Sequence, residues 1–119
     1  MVVGYLRVST DVQEVESQKG GIVKWLDARN MSCSNWTEDV QSGAVHWKKR
    51  NLGKLLKRCT EGDIVIVAEL SRIARSVAQI FEFLGECEKK GVRIEFVKEG
   101  FSFGGGNGNA IQKRCRISF

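Results

Sequence analysis

The sequence predicts an α/β domain of three layers, a central, mostly parallel sheet of four to five strands flanked by helices. Strand and helix signals alternate along the chain, and the strand segments Val2–Val8 and Ile64–Ala68 are apolar nearly throughout, as in strands covered on both faces. The length, 119 residues of which 42% are hydrophobic, fits one domain with a substantial core.

The first strand is Val2–Val8. Thr10 or Asp11 is placed to cap a helix running to about Asn30, with Val15, Ile22, Trp25 and Leu26 as its inner stripe. Gly20 and Gly21 weaken its middle by up to ~1 kcal/mol each relative to alanine. A short strand over Cys33–Val40 precedes a polar loop, Gln41–Arg50. Leu52, Leu55, Leu56 and Cys59 then lie on one helical face. A turn at Gly62-Asp63 leads into the apolar strand Ile64–Ala68. Val77, Ile80, Phe81 and Leu84 repeat the helical spacing, and Gly91 sits just past that helix's end. Val92, Ile94 and Phe96 alternate with Arg93, Glu95 and Val97 as in a half-exposed strand. Crossovers in such a β-α-β-α-β-α-β order are right-handed. After Glu99 the pattern dissolves. Gly104–Asn109 reads as a flexible linker, since it matches neither G-x-G-x-x-G nor the G-K-[ST] of a phosphate loop.

The net charge of +5 admits two readings, a solvated basic surface or an anionic partner, nucleic acid foremost. Cys33, Cys59, Cys87 and Cys115 are widely spread without a C-x-x-C, which argues against a zinc site or a redox dithiol. One histidine, His46, leaves no basis for a histidine triad or a multi-histidine metal centre, and no cofactor is expected. Without a signal-peptide pattern or a run of ~18 apolar residues, the expected setting is soluble and cytoplasmic.

Residues two apart on a strand face the same side, so Arg7 and Ser9 project together at the end of the first strand. Open parallel sheets bind ligands just outside their carboxyl edge. The next strand ends supply Asp39 and Ser42, then Glu69, Ser71, Arg72 and Arg75. Arg72 and Arg75 share a face if the helix has begun there. Lys48, Lys49, Arg50, Lys54, Lys57 and Arg58 add a basic stretch. Each feature alone has a plainer reading: a salt-bridged strand-end arginine, a serine helix cap, a solvated helix face. Their coincidence at strand ends favours a phosphoryl-transfer site, because guanidinium recognises phosphate through two parallel donors.

The segments "YLRVSTDVQ", Gln18, "EDVQSG", "KRNLGKLL", "GDIVIVAELSRIARS" and the "GV" before the last strand occur in order over about residues 2–100. Together they resemble the serine recombinases, the resolvase/invertase family, and imply a resolvase-like sheet. The resemblance implies that Ser9 attacks a DNA phosphodiester, forming a 5′-phosphoserine link and freeing a 3′-hydroxyl. Subunits of a tetramer built from homodimers then exchange, and the hydroxyl rejoins the DNA. Energy stays in the covalent link, so neither ATP nor an obligatory metal is implied. Arg7, Arg72, Arg75 and Arg50 would bind the scissile phosphate, with Gln18 and Asp39 positioning or activating groups. Lys48, Lys49, Lys54 and Arg58 would contact DNA.

Three departures stand out. Many relatives carry Asp-Arg where this chain has Ser71-Arg72, which leaves Arg72 without that carboxylate. Arg50 rather than Lys49 best fits the loop arginine, given R-x-L before "GKLLK". The chain also stops at Phe119, so the expected layout is a catalytic domain over 1–100. Residues 101–119 then form a glycine-rich linker with at most the start of a dimerisation helix, and a helix-turn-helix DNA-binding domain is absent. Two rival readings remain. A truncated or degenerate domain would act only in self-association or regulation. A receiver-type binding domain would need acidic strand ends, where this chain has arginines.

Overall fold

A computed structural model describes residues 1–8, 12–40, 42 and 44–104. Five strands form one sheet in the order β2-β1-β3-β4-β5: β1 (Val2–Arg7), β2 (Asn35–Asp39), β3 (Ile64–Val67), β4 (Arg93–Phe96) and β5 (Phe101–Gly104). The first four run parallel and β5 pairs antiparallel with β4. Among the described residues three helices cover the sheet: α1 (Val12–Asp27), α2 (Asn51–Arg58) and α3 (Val77–Lys90).

The two faces of β1 separate the core into two layers, because alternate side chains point to opposite sides. Val3 and Tyr5 pack with Leu52, Leu55 and Leu56 of α2 and with Phe83, Leu84 and Cys87 of α3. Leu6 and Val8 pack with Ile22 and Leu26 of α1 on the other face. The three-layer, mostly parallel architecture expected from the apolar strands is therefore the one observed. Gly91, at φ 73°, closes α3 in the left-handed conformation that its position past the helix implied.

Three local expectations are corrected. Within the polar loop before α2, Trp47 is a core residue that opens a 3₁₀ turn, Trp47–Lys49. Its indole donates to Glu82 at 2.9 Å and meets Phe83 edge-on, so its polar neighbours conceal an apolar anchor. β4 is buried on both faces, not half-exposed: Glu95 lies opposite Ser102 of β5, accepts its hydroxyl at 2.7 Å and pairs with Arg93. The pattern does not dissolve at Glu99, because Phe101–Gly104 is that fifth strand, with Phe101 stacked on Phe96. Gly104 thus belongs to the sheet, while the rest of the expected linker and Cys115 lie outside the described residues.

Candidate active site

The carboxyl edge of the sheet brings together four of the residues expected there. β1 ends at Arg7, in register with Asp39 at the end of β2. Arg7 Nε donates to the carbonyl of Arg72 at 3.1 Å and its Nη2 to that of Ser71 at 2.7 Å. Arg72 reciprocates, Nη1 donating to the carbonyl of Arg7 at 3.1 Å. Gln18 reaches up from α1 and donates Nε2 to the same carbonyl, also at 3.1 Å. The backbone two residues before Ser9 is thereby held by two side-chain donors, one from α1 and one from the turn after β3. Ser9 itself, like the helix-cap candidates Thr10 and Asp11, lies outside the described residues.

Beneath this layer runs a buried polar chain. Asp39 accepts the Tyr5 hydroxyl at 2.7 Å, and the backbone N–H groups of Asn51 and Leu52 at 2.9 and 3.1 Å. It therefore caps the start of α2, where free N–H groups favour an anion. Arg50 is only 1% exposed. Its Nη1 donates to the Tyr5 hydroxyl at 3.2 Å and the Arg72 carbonyl at 3.3 Å, and its Nη2 to the Ile73 carbonyl. Arg50 thus lies under the segment that carries Arg72, and the Tyr5 hydroxyl links its charge to Asp39. Burial, then the hydrogen bond to Asp39, pushes the Tyr5 phenol well above its ordinary pKa, so it stays neutral.

Sequence reasoning passed over Tyr5 as one more apolar strand residue. The signal was available: a tyrosine two residues before Arg7 shares its face, and a buried hydroxyl demands a partner.

Arg72 ends a 3₁₀ turn, Leu70–Arg72, and α3 starts only at Val77. Arg72 and Arg75 therefore do not share a helical face, as the expectation of an earlier helix start would require. Arg75 is exposed in the connecting turn and makes no ion pair or hydrogen bond among the described residues. Nor does Arg72 lack a carboxylate in the absence of a neighbouring aspartate. Glu14 of α1 accepts its Nη1 at 2.7 Å, and Glu69 lies 3.6 Å from its Nη2. Ser71 instead donates to Glu69 at 2.6 Å. That hydroxyl, with Arg72 and Lys98, holds Glu69 below the ordinary carboxylate range.

Burial lowers the pKa of Arg7, and the nearby charges of Arg50 and Arg72 lower it further. Guanidinium stays protonated at neutral pH regardless, so the cluster carries mutual repulsion that an anion would relieve. Lys48 and Lys49 on the 3₁₀ turn, with Lys54 and Arg58 one turn apart on α2, are all exposed. Among the described residues, no group of His, Cys, Asp and Glu is arranged to hold a metal ion, and no helix is long and apolar enough to cross a membrane.

Residues 2–115 match the family model described as the resolvase N-terminal domain. A resolvase/recombinase of Pseudomonas putida is 33% identical over 108 residues, covering 91% of this chain and 57% of the relative. The serine recombinase gin of Escherichia phage Mu is 32% identical over 94 residues, 79% of this chain and 45% of its own length. The chain thus spans about half the length of these curated relatives. Among solved structures, the N-terminal catalytic domain of TP901-1 integrase superposes with a TM-score of 0.71 at 20% identity, over 85% of this chain and 80% of that one. A resolvase family site-specific recombinase from Streptococcus pneumoniae gives 0.68 at 23% identity, over 94% and 80%. Those two likenesses speak to the fold. The family model, which covers nearly the whole sequence, places this chain in the resolvase family, as its N-terminal domain.

Proposed function

We propose that this domain cuts and rejoins DNA in site-specific recombination, of the resolvase/invertase type, through a 5′-phosphoserine at Ser9. The oxygen of Ser9 attacks the scissile phosphorus, and the DNA 3′-oxygen leaves, taking a proton to become a hydroxyl. After strand exchange the same steps run in reverse, so one phosphoester is always traded for another. Arg7, Arg72 and Arg75 bind the phosphate, and donors aimed at its developing charge are each worth roughly 10²–10³ in rate. Gln18 fixes the backbone leading to Ser9. Asp39 and Arg50 support the site from below. Lys48, Lys49, Lys54 and Arg58 meet the DNA backbone outside the reacting phosphate. The likeness to recombinases extends the reading to homodimers that assemble into tetramers, and to a cytoplasmic setting.

The observation that carries this reading is the reciprocal bonding of Arg7 and Arg72 across the carboxyl edge, two residues before a serine. Incubation with supercoiled DNA carrying a recombination site, followed by denaturing electrophoresis, tests it. A covalent protein–DNA band that disappears in Ser9→Ala is expected. A band that survives Ser9→Ala overturns the assignment of the nucleophile.

A further inference from the structure

Every proton on one end of the Arg72 guanidinium is already committed. Nη1 has two hydrogens, and they go to the Arg7 carbonyl at 3.1 Å and to Glu14 Oε1 at 2.7 Å. Nη2 makes no hydrogen bond to any described residue; its nearest carboxylate, Glu69, is 3.6 Å away. Nε is buried and likewise without a partner. A planar fork held at one corner by a carboxylate and a carbonyl has only its other edge left to offer an anion.

Glu14 and Arg72 come from different layers, α1 and the turn after β3, so their pairing spans the end of β1. Both side chains are about three-quarters buried, at 25% and 21% exposure, which shields the pair from screening more than a surface ion pair. Glu14 and Arg72 also line a cavity of about 290 Å³ together with Gln18, Glu69 and Lys98. The carboxylate reaches the guanidinium from α1.

We infer that Glu14 is a positioning residue: by holding Nη1 it fixes the plane of the Arg72 guanidinium, so that Nη2 is presented to the scissile phosphate. In this role Glu14 works through the Arg72 guanidinium rather than on the phosphate itself. This rests on the recombinase reading above. The carboxylate also sets a limit on the site, because without a phosphate it neutralises much of the charge that Arg72 would otherwise add to Arg7.

The test pairs two measurements on the full chain, in wild type, Glu14→Ala and Glu14→Asp. The first is the nitrogen-15 spectrum of the Arg72 guanidinium, where a held fork gives separate Nη signals and a rotating one gives a merged signal. Wild type should show separate signals and Glu14→Ala a merged one, with Glu14→Asp between them. The second is the rate of covalent adduct formation on site-containing DNA, alongside DNA affinity. Loss of positioning should slow the adduct roughly tenfold to a hundredfold with affinity almost unchanged. Merged Nη signals in Glu14→Ala with an unchanged adduct rate would overturn the positioning role. So would separate signals that persist without Glu14. Failure of wild type to form any adduct would instead overturn the strand-cutting reading on which this inference rests.

Discussion

Replacing Asp39 tests whether the carboxylate at the end of β2 holds the fold together or takes part in the chemistry. In Asp39→Ala three donors lose their acceptor. The N–H of Asn51 faces water and is readily re-satisfied, but the N–H of Leu52 and the Tyr5 hydroxyl are buried. Loss of a helix cap costs about 1 kcal/mol. Each buried donor left without a partner costs about 1–3 kcal/mol. The positive charge of Arg50, 1% exposed, also loses the anion it reaches through Tyr5. The sum is about 3–7 kcal/mol, a large part of the ~5–15 kcal/mol that holds a domain folded. At ~4 °C per kcal/mol for a chain of this size, Tm should fall by about 12–28 °C. Asp39→Asn can turn its amide toward Asn51 and keep one oxygen for Tyr5 and Leu52, so about half that loss is expected. Thermal and urea unfolding followed by circular dichroism measure both. A Tm within about 4 °C of wild type in Asp39→Ala, together with lost adduct formation, would refute the capping account and place Asp39 among the reacting groups.

Arg75→Ala should give the opposite balance, leaving Tm within about 2 °C because exposed Arg75 has no partner among the described residues to lose, while adduct formation falls by roughly 10²–10³. Parallel unfolding and adduct assays decide it, and a fall in stability matching the fall in activity would count against phosphate binding. Gly53→Ala should destabilise by about 1–3 kcal/mol in urea unfolding, although alanine favours helix. The added Cβ would stand 2.4 Å from the carbonyl oxygen of Lys48 and 2.8 Å from its carbon, backbone atoms that cannot swing away. Ser71→Ala should raise the pKa of Glu69 toward the ordinary 4.5, since the serine hydroxyl is the main group lowering it. A carboxylate depressed in the fold adds stability above its unfolded pKa and loses it as pH falls through the folded value. Acid unfolding of Ser71→Ala should therefore begin at higher pH, and carbon-13 titration of Glu69 reads the shift directly.

Much of this was legible in the sequence because buried parallel strands and amphipathic helices leave strong patterns. The runs at Val2–Val8 and Ile64–Ala68 became β1 and β3, and the stripe from Leu52 to Cys59 became α2. β5 was not legible. Phe-Ser-Phe is an alternation only three residues long among glycines, and pairing with β4 is what makes Phe101–Gly104 a strand. Trp47 was hidden for a related reason, since one aromatic among lysines reads as loop until Phe83 and Glu82 are brought to it. At the site, the arginines at strand ends were readable as types at positions. Their partners were not: Glu14 lies 58 residues from Arg72, and Asn51 lies 12 from the carboxylate that caps it. Contacts of that span belong to the folded topology rather than to any local spacing.

The difference between Arg50 and Arg75 shows what local spacing leaves undetermined. Both were candidates for the same phosphate on the strength of residue type, yet one is 1% exposed and bonded to three oxygens while the other is exposed and bonded to none described. A guanidinium whose donors already point at carbonyls cannot turn to a ligand without leaving buried acceptors unpaired. Its use is to hold the turn after β3 at the height where Arg72 meets Arg7. An arginine with no partner has no such cost, and the gain in Coulomb energy from a phosphate beside Arg7 and Arg72 is undiminished by any bond it must give up. The site is thus built in two tiers. Asp39, Tyr5 and Arg50 form a hydrogen-bonded floor, and above it stand Arg7, Arg72 and Arg75, the proposed phosphate ligands. Substitutions in the floor should be read in stability, and those in the upper tier in rate.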